Sequence, residues 1–347
     1  MRQSLSFRYT IRNLSSKVGY MNHIYFIVNP KARNGYCMKT WKKIEDHLKG
    51  ENLTYLAFFT DYPGHAQVLS SQIAAKSQEN TLIIAVGGDG TMHEVMNGVV
   101  HDKHITLGFI PGGSGNDFSR GYHIPADPVE ALSCILRLMK QKASAIDIGK
   151  ITLQDASKHY FINNMGAGFD AIISYEVNQS KMKALFNKLS LGRLVYVYFL
   201  IKKLFTYKTS TIDISIDGKK HIFDKTWFVT VSNQPYYGGG MKIAPAAEPD
   251  DGLFDITVVH QLSRLKLLLV FISVFWGKHI HFKEVKSFKG RVVSVHSPTS
   301  LHVHADGEQI GYTPLNIDLQ AKNLKVLTRR RKTEEVELKE RDSNDFY

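Results

Sequence analysis

The chain has 347 residues, 43% of them hydrophobic and 22% charged, with a formal net charge of +12. This composition excludes a disordered or fibrous chain, leaves room for two domains with real cores, and offers no apolar run near the roughly 20 residues a membrane-spanning helix needs. The positive surplus fits a polyanionic partner, either nucleic acid or the anionic inner leaflet of a membrane, and equally a surface that is charged only for solvation.

In chain order, residues 1–21 form a basic extension with Arg2, Arg8, Arg12 and Lys17 and no acid. It lacks the apolar core of a signal peptide and is expected to be flexible, with Met21 as a candidate start just before the first strand. From residue 22 to about 145, strands alternate with helices. Strands are expected at 24–28, 54–59, 82–86 and 105–110, and helices from the Asn29–Gly35 loop to about 49, at 64–77 and at 128–142. Repeated strand–helix–strand units predict a three-layer α/β domain over 22–145 with a parallel sheet. After Ala145 the texture changes to short β-rich runs at 160–163, 211–216, 227–232, 254–259, 292–296, 301–304 and 315–319. They predict an antiparallel β-sandwich or barrel over 146–328, interrupted by helical stretches at 181–205 and 263–276; of the two, the sandwich is the expected fold. Residues 329–347 read as a charged, solvated tail. Only two cysteines occur, Cys37 and Cys134, so no disulfide framework is expected and a reducing cytoplasm suits the chain.

Residues 82–98 read LIIAVGGDGTMHEVMNG. Five apolar residues without polar alternation suit a strand buried on both faces of a parallel sheet. They break into Gly87-Gly88-Asp89-Gly90-Thr91, where three glycines let the backbone approach a ligand with its N–H groups pointing outward. Thr91 and Glu94 have capping-box spacing and place a helix start directly after the turn. Strand, glycine turn and helix start make a phosphate site, and a phosphate-bound cation would account for Asp89. Taken singly, such a turn is equally an ordinary tight turn. The same design recurs, however: residues 105–110 run into Pro111-Gly112-Gly113-Ser114-Gly115-Asn116-Asp117-Phe118. Two such turns on successive parallel strands lie side by side, where ligands of α/β sheets collect. Neither turn has Walker A or dinucleotide-fingerprint spacing. The second half adds Gly238-Gly239-Gly240-Met241, then a block from Ala244 to Leu253 containing Asp250-Asp251-Gly252, and finally Asp306-Gly307-Glu308 after a strand-like run. Asp306 and Glu308 project to the same side if the backbone is extended; Asp-Gly is also a favoured hairpin turn.

GGDGT, PGGSGNDF, the GGGM…DDGLFD block and the DGE tripeptide, in this order, resemble the soluble diacylglycerol kinase catalytic family, to which bacterial lipid kinases and the sphingosine and ceramide kinases belong. The likeness runs over about residues 22 to 328. It implies a kinase that uses Mg²⁺ and ATP. Nucleotide contacts fall on Asn29, Lys31, Arg33, Thr60, the segment Gly87, Gly88, Asp89, Gly90, Thr91, Met92 and His93, and Ser114. The resemblance also implies a structural Mg²⁺ held by the Asp251 side chain and the backbone carbonyls of Glu248 and Leu253. It assigns the base to Glu308, with Asp306 in the same acidic network, and Asp89 to orienting the nucleotide's Mg²⁺. Position 93 is His where the family usually has Asn, and position 114 is Ser where Thr is common; both keep a hydrogen-bonding side chain.

The implied reaction moves the γ-phosphate of ATP to the hydroxyl of a lipid alcohol, diacylglycerol first, in a cytoplasmic enzyme peripheral to the inner face of the membrane. A sphingoid base, another lipid alcohol or NAD are the alternative acceptors. A non-catalytic nucleotide- or nucleic-acid-binding protein is the alternative from another class, but no basic–aromatic motif or helix-turn-helix spacing supports it, so nucleic acid is not an expected partner. The oligomeric state stays open, a homodimer included. Two features stand outside this scheme. The histidine pairs His302/His304 and His279/His281 lack the Cys partners that would favour a metal reading. The stretch RLVYVYFLIKKLF at 193–205 fits an interfacial membrane helix or a buried core helix equally well.

Overall fold

The computed structural model describes residues 9–12, 23–51, 53–180 and 192–328. The expected tail 329–347 and residues 181–191 of the expected 181–205 helix lie outside them. The chain divides into two compact units, one reaching Ala145 and resuming at Leu324, the other Ile146–Asn323.

In the first unit, strands β1 (Tyr9–Arg12), β2 (His23–Val28), β3 (Tyr55–Phe59), β4 (Thr81–Gly87) and β5 (Ile105–Pro111) form a sheet in the order β1-β3-β2-β4-β5. The last four are mutually parallel, with Val28 beside Val86 and Val86 beside Ile110. Every residue of β4 and β5 is buried, as unalternating apolar runs require. Side-chain alternation splits them between two helix layers. Ile24, Phe26, Leu82, Ile84 and Val86 pack with Trp41 and Ile44 of α1 (Tyr36–Leu48) and with Leu132 and Ile135 of α5 (Pro128–Leu138). The intervening Ile27, Ile83 and Ala85 are equally buried on the opposite face, the side of α2 (His65–Lys76) and α3 (Asp89–Val99). Each large aliphatic side chain buried this way stabilises the unit by about 1.5–3 kcal/mol.

Two expectations for this unit need correction. The N-terminal extension is not wholly without structure: Tyr9–Arg12 pairs antiparallel with β3, Tyr9 opposite Phe58, and so covers an otherwise open sheet edge. Helix α5 ends at Leu138 rather than 142, closing through turns from Lys140 N–H to the Arg137 carbonyl and from Gln141 N–H to that of Leu138. Its start is fixed by Asp127, whose carboxylate accepts the Val129 and Glu130 N–H groups, with Pro128 at the first helical position.

The second unit is an antiparallel β-sandwich. Its strands β9 (Ser210–Ile216), β10 (Lys219–Ser232), β13 (Phe254–His260), β14 (Val285–Gly290), β15 (Val292–His296), β16 (His302–Ala305) and β17 (Glu308–Tyr312) pair antiparallel. Alternate residues face inward: Ile212, Ile214 and Ile216; Val229 and Val231; Ile256 and Val258; Val293 and Val295 form one core. Strands β6 (Ser144–Leu153), β8 (Asn164–Gly168) and β14 and the helix Phe169–Gln179 are absent from the sequence reading. The small residues of β8, NMGAG, carry no strand signature. Helix Phe169–Gln179 packs Phe169, Ile173 and Val177 against Phe199, Leu200 and Leu204 of helix Gly192–Thr206. That helix also exposes Tyr198, Ile201 and Phe205, so neither reading of 193–205 excludes the other. Strand β18 (Leu315–Val326) outruns the expected 315–319. Its end returns to the first unit, where Lys325 and Val326 run parallel to Thr106 and Leu107.

Candidate active site

The glycine turns meet backbone to backbone in the first unit. Gly112 donates its N–H to the Gly87 carbonyl at 2.7 Å. A Cβ on Gly113 would stand 2.4 Å from the Gly88 Cα, and one on Gly87 would stand 2.4 Å from Thr91 Oγ1. These glycines are therefore required by packing whatever else the turns do. Asp89 ties the turns together: its Oδ1 accepts the Phe118 N–H at 2.9 Å. In the second turn, Asn116 adopts a left-handed φ of 57° and its Oδ1 accepts the Gly113 N–H at 3.2 Å. Ser114 is exposed at the tip.

Helix α3 starts at Asp89, with Gly88 as its N-cap and no side-chain cap. The expected capping box is not formed. Glu94 instead turns to α2, where its two oxygens accept the Gly64 and Ala66 N–H groups at 2.9 and 3.1 Å. A carboxylate at that helix start satisfies donors and complements the helix dipole. The first turn of α3 is thus left without a side-chain cap.

The neighbouring strand ends bring the remaining nucleotide candidates alongside. Asn29 follows β2, donates its N–H to the Val86 carbonyl at 2.9 Å and its Nδ2 to Thr91 Oγ1 at 3.1 Å. Thr60, after β3, is buried and donates its N–H to the Val28 carbonyl. Lys31 and Arg33 are exposed; the Lys31 ammonium donates to the Asp61 carbonyl at 2.7 Å, and Arg33 stacks over Tyr36. Met92 is fully buried, so only its backbone is available to a ligand. His93 lies on the next turn beside Asn97. Gly90 sits partly exposed in the first turn of α3.

In the second unit, Asp306 and Gly307 form the two-residue hairpin turn between β16 and β17, both with positive φ (49° and 89°). Asp306 is therefore not extended, and the same-side argument for Asp306 and Glu308 does not apply. The Asp306 carboxylate is occupied by the backbone: it accepts N–H groups from Ile162, Asn163 and Asn164 at 3.0, 2.8 and 3.0 Å. The turn is held on its other sides too. The Gly307 carbonyl accepts Ser174 Oγ at 2.8 Å and Asn178 Nδ2 at 3.1 Å. The Gly307 N–H donates to His304 Nδ1, which places the proton of the neutral ring on Nε2, 3.2 Å from Asp170 Oδ2 and 3.0 Å from the Tyr237 hydroxyl. Glu308 alone of this tripeptide is exposed. His304 thus buttresses the turn, while the His302 ring lies tilted against those of Tyr175 and Tyr312.

The Asp250-Asp251-Gly252 turn is anchored by Asp147, a wholly buried carboxylate that accepts the Gly252 and Lys322 N–H groups at 2.8 and 2.7 Å. Burial pushes the Asp147 pKa up, against those two hydrogen bonds. Asp251 Oδ1 accepts the Leu253 N–H at 2.9 Å, and Oδ2 takes the Lys289 ammonium at 3.1 Å; the same ammonium lies 3.2 Å from Asp255. Burial works against the Lys289 charge, but the Asp251 and Asp255 carboxylates outweigh it and raise its pKa. Both Asp251 oxygens are engaged by the chain's own donors. Among the described residues, no group of three or more His, Cys, Asp or Glu side chains could hold a metal. The implied Mg²⁺ ligand set of Asp251 with the Glu248 and Leu253 carbonyls has the oxygen chemistry that ion takes, and in this structure the Lys289 ammonium supplies the positive charge beside Asp251. The nucleotide-free protein is expected to melt at the same temperature in EDTA and in Mg²⁺. Lys289→Gln should lower that temperature by roughly 2–4 °C and make it rise with Mg²⁺. A wild-type melting point that falls on chelation would show that an ion, not Lys289, holds Asp251.

Asp147, Asp170 and Lys289 escape the sequence reading, and His304 enters it only as half of a histidine pair. Asp147 carried the one available signal, a lone acid inside the apolar run SAIDIGKITL.

The family model for the diacylglycerol kinase catalytic domain matches residues 23–151, and that for the YegS C-terminal NAD kinase beta sandwich-like domain matches residues 163–328. A Bacillus subtilis (strain 168) relative provisionally named a lipid kinase, YtlR, is 35% identical over 312 residues, 89% of this chain and 100% of its own length. The chain belongs to the diacylglycerol kinase catalytic family. The chain is also 31% identical over 265 residues to the Diacylglycerol kinase of Bacillus subtilis, covering 76% of this chain and 82% of that one. A crystal structure from Bacillus anthracis str. Sterne, provisionally described as a diacylglycerol kinase, superposes with a TM-score of 0.68 at 25% identity, covering 88% of this chain and 97% of that one. The relatives are kinases by name, and the chain is a kinase of their family. No helix among its described residues is long and apolar enough to cross a membrane.

Proposed function

We propose that this kinase transfers the γ-phosphoryl group of ATP to the hydroxyl of a lipid alcohol, diacylglycerol first, at the inner face of a membrane. The observation that carries the reading is Glu308: an exposed carboxylate directly after a turn that hydrogen bonds hold through both Asp306 and Gly307. Phosphoryl transfer needs a positioned carboxylate to take the acceptor's proton as the phosphorus–oxygen bond forms. Because Asp306 is committed to backbone donors, Glu308 is assigned the base and Asp306 the positioning role.

The first unit is assigned the triphosphate. Backbone N–H groups of Gly88, Asp89 and Gly90 would meet phosphate oxygens at the uncapped start of α3, with Asn29, Lys31, Arg33, Thr60, Thr91, Met92, His93 and Ser114 around them. Asp89 would orient a nucleotide-bound Mg²⁺ directly or through water, and that ion would neutralise charge on the phosphate oxygens. The name of the Bacillus subtilis relative supports diacylglycerol as acceptor.

The test is incubation with γ-labelled ATP and, separately, vesicles of diacylglycerol, a sphingoid base or NAD, with chromatography of the product. Labelled phosphatidic acid is expected. Label in NAD alone, or in no acceptor, overturns the proposal.

A further inference from the structure

The helix Arg264–Val274 buries Leu267, Val270 and Val274 on one side. On the other, Leu265, Leu269, Ile272 and Trp276 keep 72%, 61%, 55% and 67% of their surface in solvent. Their spacing of four, three and four residues draws a single stripe along the helix. A contiguous stripe of large apolar side chains, unlike scattered ones, marks a contact surface.

The stripe begins at a cationic cavity. About 550 Å³ in volume, it is lined by Lys208, Lys225, Arg264, Trp227 and Leu265 among others, and no carboxylate lines it. Arg264 donates to the Leu204 carbonyl at 2.9 Å, which orients the guanidinium without neutralising it. Leu265 belongs to both features, so apolar stripe and basic cavity are continuous. Residues 263–284 contain Arg264, Lys266, Lys278 and Lys283 and one acid, Glu284, which pairs with Lys266.

We propose that the stripe and the cavity form one docking face for an anionic bilayer, the stripe entering the acyl boundary and the cavity taking a lipid phosphate. This rests on the reading of the kinase as acting on a membrane lipid. The helix has 11 residues, about 16 Å, too short to span, so it lies along the surface. Trp276 at its end suits the headgroup layer. A symmetric contact with a second copy would bring the same cations face to face, which disfavours that occupant.

The test is flotation of the full chain with phosphatidylcholine vesicles, with and without phosphatidylglycerol. The wild-type protein should float with the anionic vesicles and little with the neutral ones. Leu269→Ser with Trp276→Ser should weaken anionic binding by about tenfold or more. Lys208→Ala with Lys225→Ala should remove the preference for anionic vesicles, and the Arg pair should restore it. Activity on a short-chain diacylglycerol dispersed as monomers should be unchanged in all of these variants. Wild-type-like flotation of both variants overturns the docking face. So does a change in oligomeric state on Leu269→Ser with Trp276→Ser while flotation persists, which would assign the stripe to a second copy. If flotation behaves as expected but no lipid alcohol is phosphorylated, the docking face stands and the lipid-kinase reading falls.

Discussion

Glu308→Gln is expected to lower turnover by roughly 10²- to 10⁴-fold, the span a positioned general base contributes, while leaving the fold and ATP affinity near wild type. The stability argument is geometric. Glu308 is exposed at the first position of β17, and the turn before it is fixed by Asp306, Gly307 and their partners rather than by the Glu308 side chain. Glutamine keeps size and polarity and loses only the capacity to take a proton. Single-turnover rates with saturating ATP, alongside nucleotide titration and a thermal melt, separate the two effects. Turnover within threefold of wild type would remove Glu308 from the mechanism.

Asp306→Ala is expected to act in the opposite manner, through structure. It strands three backbone N–H groups and puts alanine at a left-handed φ of 49°. Unsatisfied donors and the strained backbone together should cost about 2–4 kcal/mol, or roughly 5–12 °C in melting temperature. Activity should fall with it, because the turn that presents Glu308 loosens. Asp306→Asn should be milder, since asparagine tolerates the same φ and keeps one accepting oxygen. A thermal melt of both variants, with activity measured well below their transitions, checks this order. Were Asp306→Ala to melt like wild type yet be inactive, Asp306 itself would be the acid that handles the proton, and the roles proposed for Asp306 and Glu308 would reverse.

The docking face adds a consequence for both experiments. Variants of Glu308 and Asp306 are best assayed on a monomeric acceptor as well as on vesicles, so that chemistry and surface partition are read separately.

The sequence alone made the first unit legible. Unalternating runs at 82–86 and 105–110 suit strands buried on both faces, and their glycine turns are expected to lie side by side because successive strands of such a sheet are neighbours. Asp-Gly at 306–307 offers a hairpin as one of two readings, by its turn chemistry. Tertiary structure decided which carboxylates are spoken for. Glu94 has capping-box spacing for its own helix yet serves α2; Asp306 reads as an active-site acid yet is filled by N–H groups more than 140 residues away; Asp251 reads as a metal ligand yet holds Lys289. The reason is physical: periodicity and turn preference depend on near neighbours in the chain, whereas a carboxylate takes whichever donors the folded backbone brings within 3 Å, and those are fixed only when distant segments pack.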